Sequence, residues 1–424
     1  MNPIEPKDFK RSKYFAIPCF YDSHLHLEGL GKYSNKNDLK HLTELHGLEA
    51  FVAESQLNDL KTIEAFGLNP KFVADIPALD SLFKSINRKN KNYYLVLDDG
   101  HQLFVHGDFY LDFISHQELD KKPKSSLSSY VFKDENRSGF DSFYKKYTQP
   151  KATTELNLLS AQKILLNSGV THCRDLTSDL VQFSKLLKLI QDKSFKIHTD
   201  TFFSDFFGDS VDQMINSSLQ ALDLQNQNAN GLLKHRGIKL FMDGTFSQNS
   251  VDLTCYHDSS HGHGHGHGHG HGHGHGQSKP KSKYTVKDLV SILKDVSHHN
   301  LEIAFHTIGD GAVEKVIMAF DQVKSTFKSQ IHLEHCEVIN DVTMKYLKSL
   351  SDSYKTKLNF HFQPSHFLMD QLALKKIKET QSECHIFAWA ILKSLGYAVF
   401  FGSDAPVTRP DLNYIKNPEF KIFF

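Results

Sequence analysis

Residues 301–335 read LEIAFHTIGDGAVEKVIMAFDQVKSTFKSQIHLEH, and this stretch decides the class of fold. Glu302–His306 and Ile331–Glu334 are short β-rich runs. Between them Ala312, Val313, Val316, Ile317, Phe320 and Val323 recur at steps of three and four, the spacing that puts an apolar stripe on one face of a helix. A strand, a helix and a second strand in that order predict parallel strands joined by a crossover helix.

Outward from this unit the alternation continues. Four β-rich segments precede it, at Phe15–Tyr21, Val170–Arg174, Lys196–Thr201 and Ile238–Met242, and two follow, at Leu358–Gln363 and Ala398–Gly402. Val286, Leu289, Val290, Leu293 and Val296 repeat the helical spacing behind Thr285, an N-cap with Asp288 three residues on. Ile391, Leu392 and Leu395 run into Gly396, a helix stop. Eight such strands predict an α/β fold, a TIM-like (β/α)8 barrel with its active site at the C-terminal strand ends. An open doubly wound sheet is the rival. Residues 30–150 between the first two strands are too many for a plain loop. There Tyr93–Asp98 and His101–His106 flank Asp99-Gly100, a hairpin turn pair, so a β-containing subdomain is expected beside the barrel mouth. One segment stands apart: within residues 259–283, His261–Gly276 is an unbroken His-Gly repeat that supplies nothing to pack, and it reads as a disordered surface loop.

Composition narrows the function classes. The 424 residues carry 49 Lys+Arg against 49 Asp+Glu, so no net charge draws the chain to nucleic acid or to an anionic membrane. With 39% hydrophobic residues and 33 Phe it can fill a large core. No apolar run approaches the ~18 residues of a membrane span, and MNPIEPKDFKRSKYF at the start is unlike an export signal. Five scattered cysteines without a Cys-x-x-Cys pair read as reduced thiols of a cytoplasmic protein.

The chemistry gathers where the strands end. His24 and His26 are two apart at the close of the first strand and share a face, able to offer imidazole nitrogens to one ion. Lys239 alternates with Phe241 and Asp243 against Ile238, Leu240 and Met242; if its face is the interior, a dry ammonium needs neutralising, and carboxylation by carbon dioxide would make it an anionic bridge between metals. His306 ends the fifth strand, His335 the sixth, and Asp404 follows the eighth. Singly, each has an ordinary explanation as a core histidine, an edge lysine or a turn-capping acid. Together they occupy the ends of strands one, four, five, six and eight, a coincidence that points to a metal site.

The pattern resembles the amidohydrolase superfamily of metal-dependent hydrolases, and within it amidohydrolase family 3, the YtcJ-like or N-substituted formamide deformylase-like group. The resembling stretches are Tyr21-Asp22-Ser23-His24-Leu25-His26-Leu27, Asp99-Gly100-His101, Gly169-Val170-Thr171, Ile238 through Gly244, His306 through Ala312, Glu334-His335, Gln363-Pro364-Ser365-His366, and Phe401 through Val407. The resemblance implies that His24 and His26 hold the more buried metal, that Lys239 bridges when carboxylated, and that His306 and His335 hold a second. It also implies that Asp404 coordinates the first metal and shuttles the proton. One or two divalent ions, with Zn²⁺ the expected one, would lower the pKa of bound water from 15.7 to about 7.

Two departures stand out. Family members carry longer ends that build a β-sandwich outside the barrel, whereas here 23 residues precede His24 and 20 follow Asp404. The sandwich is therefore expected to be largely absent, and a homodimer would cover the flank of the last strand. The His-Gly repeat also replaces the family's usual loop after the fourth strand. The first functional expectation is a hydrolase cleaving a carbon–nitrogen bond other than a peptide bond, in a small-molecule amide, formamide or cyclic amide, with His101 and His366 lining the substrate pocket. The alternatives are a metal-binding or storage protein with a decayed barrel, and an ester or phosphoester hydrolase on the same site.

Overall fold

The computed structural model describes residues 20–34, 37–57, 61–97, 102–116, 128–132, 139–140, 143–144, 154–227, 231–254, 282–380 and 383–410. In chain order the strands are β1 (Phe20–Leu25), β2 (Asn37–Asp38), β3 (Thr62–Leu68), β4 (Asn92–Leu97), β5 (Leu103–His106), β6 (Ser129–Phe132), β7 (Val170–Ser178) and β8 (His198–Ser204). They continue with β9 (Leu233–Phe241), β10 (Glu302–Thr307), β11 (Ile331–His335), β12 (Val338–Asn340), β13 (Leu358–Phe362), β14 (Cys384–Ile386) and β15 (Ala398–Phe401).

Eight of these form one parallel sheet in the order β1-β7-β8-β9-β10-β11-β13-β15. Its two edges meet where Leu25 bridges Ala405, the His26 N–H donates to the Ala405 carbonyl at 2.8 Å, and the Asp404 N–H donates to the His24 carbonyl at 2.7 Å. The result is a (β/α)8 barrel, as the alternation predicts. Ile238 and Leu240 of β9, Met242 just after it, Ile303 and Phe305 of β10 and Leu333 of β11 face outward. They join one apolar cluster with Leu289, Leu293 and Val296 of helix Val286–His298 and Val313, Val316 and Phe320 of helix Asp310–Val323. Burying these stripes, at roughly 25 cal/mol per Å² of apolar surface, is the main force holding helices to barrel. Thr285 and Asp288 form a capping box on the first of those helices.

The strands run further than hydrophobicity alone suggests. β7 continues through Arg174, Asp175 and Ser178, all buried, because their polar groups are hydrogen-bonded inside the barrel: Arg174 to Glu334, and Asp175 to the N–H groups of Leu27 and Thr177. β1 likewise reaches past Tyr21 to Leu25 and takes in His24. Residues 1–19 and 411–424, the ends that would bear on a flanking sandwich or a covered edge, lie outside the described residues.

Between β1 and β7 a second sheet runs β2-β3-β4-β5-β6. Period-two alternation in β4 divides its side chains between two cores: Tyr93, Leu95 and Leu97 pack with Phe83 and Phe104, and Tyr94 and Val96 pack with Phe109, Phe140 and Tyr144. β4 and β5 form the expected antiparallel hairpin, with Tyr93 opposite His106 and Val96 opposite Leu103; its Asp99-Gly100 turn and His101 lie outside the described residues. Lys40 ties this sheet to the barrel through the carbonyls of Pro406 and Val407, at 3.2 and 2.7 Å.

Among the described residues no helix is long and apolar enough to cross a membrane. Cys173 and Cys336 are buried free thiols, but Cys384 is disulfide-bonded. The expectation of five reduced cysteines therefore fails at that position. The His-Gly repeat lies outside the described residues.

Candidate metal centre

The site begins with the stitching of β1 to the segment after β15. The buried Asp22 carboxylate accepts from the Ser403 N–H at 2.9 Å, the Ser403 hydroxyl at 2.6 Å and the His24 N–H at 3.2 Å. Gly402 permits this approach, since a Cβ there would stand 2.5 Å from the His24 nitrogen. Asp404 then adopts a left-handed backbone, φ 57°, which turns its carboxylate into the barrel mouth. Its Oδ1 lies 2.8 Å from His26 Nε2 and 3.3 Å from His24 Nε2, and its Oδ2 lies 3.3 Å from His366 Nε2.

The other ring nitrogens are held from behind. His24 Nδ1 is 2.7 Å from Glu334 Oε2, and an ionised carboxylate only accepts, so Nδ1 carries a proton and Nε2 is the nitrogen on the Asp404 side. His26 Nδ1 pairs with the Thr177 hydroxyl at 2.8 Å. Glu334 has no exposed surface and also accepts from Arg174 at 3.0 Å. Burial alone would raise its carboxyl pKa, but Arg174 above all, with His361 and His24, holds it well below the usual range. Arg174 in turn reaches the Ser23 carbonyl at 2.9 Å and lies 4.7 Å over the Phe202 ring.

His335 follows Glu334 directly, and in a regular strand the two would face opposite ways. Left-handed backbone at His335, φ 74°, and at Cys336, φ 46°, breaks that alternation. Both side chains therefore meet His24: Glu334 by its hydrogen bond, His335 with ring centroids 4.8 Å apart. The His335 ring is also 4.4 Å from His306 and 5.6 Å from His366. Both its nitrogens are buried without a hydrogen-bond partner. Burial, reinforced by His306 and His24, drives its pKa well below the ordinary value, so the ring is neutral with a lone pair to give.

Two further sequence-selected residues are Lys239 and His306. Lys239 is 1% exposed with no hydrogen-bond partner for Nζ; burial lowers its pKa to about 8 against the pull of Glu334 and Asp404. His306 Nε2 lies 3.3 Å from the Gly244 carbonyl and 3.9 Å from Asp243 Oδ1. Donor atoms within 4.8 Å of one another come from His24, His26 and Asp404, and again from His335, His366 and Asp404. His306 belongs to neither of those two sets, although its ring lies against that of His335. His366, expected from sequence to line the substrate pocket, is buried at the start of the short helix His366–Met369, between Asp404 and Glu337, and those carboxylates overcome burial to lift its pKa to about 10.

Sequence reasoning passed over Glu334, Arg174, Thr177, Glu337 and Asp243. Asp243 accepts from the N–H groups of Ile308, Gly309 and Asp252 and so joins β9 to the loop after β10; burial raises its pKa to about 7 despite these bonds. The available signal was charge inside otherwise apolar strands, since a buried Arg174 and a buried Glu334 each require a partner.

The donor set fits a divalent cation. Imidazole nitrogens on rings held from behind, one carboxylate and buried polar atoms without partners are what such an ion satisfies.

Comparison with known proteins agrees with this geometry. The model of the amidohydrolase family, Amidohydro_3, matches residues 136–412, more than half of the chain. An uncharacterized metal-dependent hydrolase from Pyrococcus horikoshii OT3 superposes with a TM-score of 0.64 at 17% identity, over 93% of this chain and 72% of that one. A second, from Pyrococcus furiosus, gives 0.62 at 18% identity, over 93% and 74%. At these identities the likeness is one of fold. No curated protein matches the chain.

Proposed function

The chain belongs to the amidohydrolase family, and from that membership we propose that it is a metal-dependent hydrolase of small molecules, cleaving a carbon–nitrogen bond other than a peptide bond. The observation that carries the reading is the convergence of His24, His26, His335 and Asp404 on one barrel rim, with His335 offering two buried, unpartnered nitrogens. In this reading His24 and His26 hold a divalent ion, with zinc the ion their chemistry favours, through Nε2 and together with Asp404. His306 and His335 would hold a second, and Lys239, as a carbamate, would supply an anionic ligand. Carbamate formation joins the neutral amine to carbon dioxide and releases a proton, and a lysine held near pKa 8 supplies that neutral form. When bound, a divalent ion supplies a Lewis acid that lets water ionise near neutral pH and draws charge from a substrate carbonyl. Glu334 and Thr177 keep the two imidazoles oriented. Asp404 accepts the proton of the attacking water and returns it to the leaving nitrogen.

Metal analysis, a panel of amides, formamides, cyclic amides and dipeptides, and the Asp404→Asn variant test this together. The expected result is metal-dependent turnover of a non-peptide substrate that falls by roughly 10²–10⁴-fold in Asp404→Asn, the range of a lost general base. Undiminished turnover in that variant or in metal-stripped protein overturns the mechanism. Turnover confined to dipeptides overturns the substrate class.

A further inference from the structure

Glu337 lies two residues beyond His335 and is completely buried. Its Oε1 is 3.3 Å from His366 Nδ1, while Oε2 of the same carboxyl group has no hydrogen-bond partner. Its ion-pair partner is an imidazole, His366, which also faces Asp404 Oδ2 at 3.3 Å. A fully buried carboxyl oxygen with no donor or cation beside it is left unsatisfied, which is costly away from water. Asp370 brings a third acid to the same ring. The backbone pins all three: the Glu337 carbonyl accepts from the Phe387 N–H at 2.9 Å, and the Asp370 N–H donates to the His366 carbonyl at 2.8 Å. One ligand atom each from Glu337, His366 and Asp370 lie within 4.8 Å of one another.

We propose that Glu337, His366 and Asp370 form a binding site for a divalent cation, separate from the His24, His26 and Asp404 constellation. Donors sharing an ion at about 2.0–2.2 Å stand roughly 3–4.4 Å apart, so small side-chain adjustments gather these three. The cation supplies the partner that Glu337 Oε2 lacks. Two carboxylates and one imidazole make an oxygen-rich set that accepts Mn²⁺ as well as Zn²⁺. An ion on Nδ1 of His366 leaves the ring proton on Nε2, where it points at Asp404 Oδ2; the site thereby orients His366 as a donor to Asp404.

The test uses full-length protein stripped with chelator and then given Mn²⁺ alone, which stands at the weak end of the affinity order for nitrogen-rich sites such as the His-Gly repeat. Mn²⁺ uptake is read by electron paramagnetic resonance, and position by anomalous diffraction from soaked crystals. The expected result is an anomalous peak between Glu337, His366 and Asp370. Glu337→Gln and Asp370→Asn each abolish it with loss of one bound equivalent, and His24→Ala leaves it in place. Asp370 is only half-buried, so its variant stays informative if Glu337→Gln does not fold. Wild-type crystals without that peak, or a peak that survives in Asp370→Asn, overturn the proposal. A peak at His24, His26 and Asp404 with none here removes this site alone; the reverse pattern upholds it and removes the hydrolytic centre.

Discussion

Replacing Glu334 with alanine strips a buried guanidinium and a buried imidazole of their partner at once. Glu334 is wholly buried and holds His24 Nδ1 at 2.7 Å and Arg174 at 3.0 Å. Charge-assisted hydrogen bonds are worth about 1.5–3 kcal/mol each, and removing one member of a buried ion pair costs about 3–5 kcal/mol because the survivor stays buried. Arg174 is that survivor, 2% exposed with one guanidinium nitrogen already unpartnered. A loss of roughly 3–5 kcal/mol of stability follows. Zinc affinity falls further, by about 10–100-fold, because His24 is released from its orientation. Glu334→Gln keeps an acceptor for His24 and so loses less affinity than alanine while still leaving Arg174 without a counter-charge. Urea unfolding followed by the fluorescence of Trp389, the single tryptophan, buried against Phe362 and Phe387, gives the stability term. Competition with a chromophoric chelator gives the affinity. An alanine variant within 1 kcal/mol of wild type and with unchanged zinc affinity would refute the claim that Glu334 orients His24.

Other consequences are equally specific. Gly402→Ala sets a Cβ 2.5 Å from the His24 backbone nitrogen, and overpacking of this kind costs about 1–3 kcal/mol, so the variant should melt lower and bind less zinc. His106 is buried against Ser129 and Asp80 and its pKa is pushed down to about 4, chiefly by burial; because that lies below the unfolded value near 6.5, its stabilisation is complete above pH 6.5 and drains away as pH falls towards 4. The difference in unfolding free energy between wild type and His106→Gln should therefore shrink by about 3 kcal/mol from pH 7.5 to pH 4, and a constant difference contradicts the reading. Deleting His261–Gly276 should leave the metal proposed at the barrel mouth in place while His24→Ala removes it, as measured by elemental analysis; the opposite pattern would favour the storage function.

How far the sequence can be read depends on which force places a residue. Ile238, Leu240 and Met242 announce their outward face by alternation, and Ala312 to Val323 announce a helix, because burial of a periodic apolar stripe is a local pattern with one outcome. Thr285 and Asp288 are legible for the same reason: a capping box is closed within three residues. Arg174 and Glu334 are not, since their burial depends on one another across 160 residues. His366 looked like a loop histidine because nothing near it in sequence reports Glu337 or Asp404.

By itself, then, the order of apolar periods and strand-end polar residues determined a barrel and the rim on which its chemistry lies. Tertiary structure alone decided that His335 turns back towards His24 through a left-handed backbone, that Glu334 and Thr177 hold the His24 and His26 rings, and that His306 stands outside the tightest donor sets. The physical reason is range. Hydrophobic periodicity is written into neighbouring residues, whereas the pairing of buried charges and ring nitrogens is settled only when distant strands are brought within hydrogen-bonding distance.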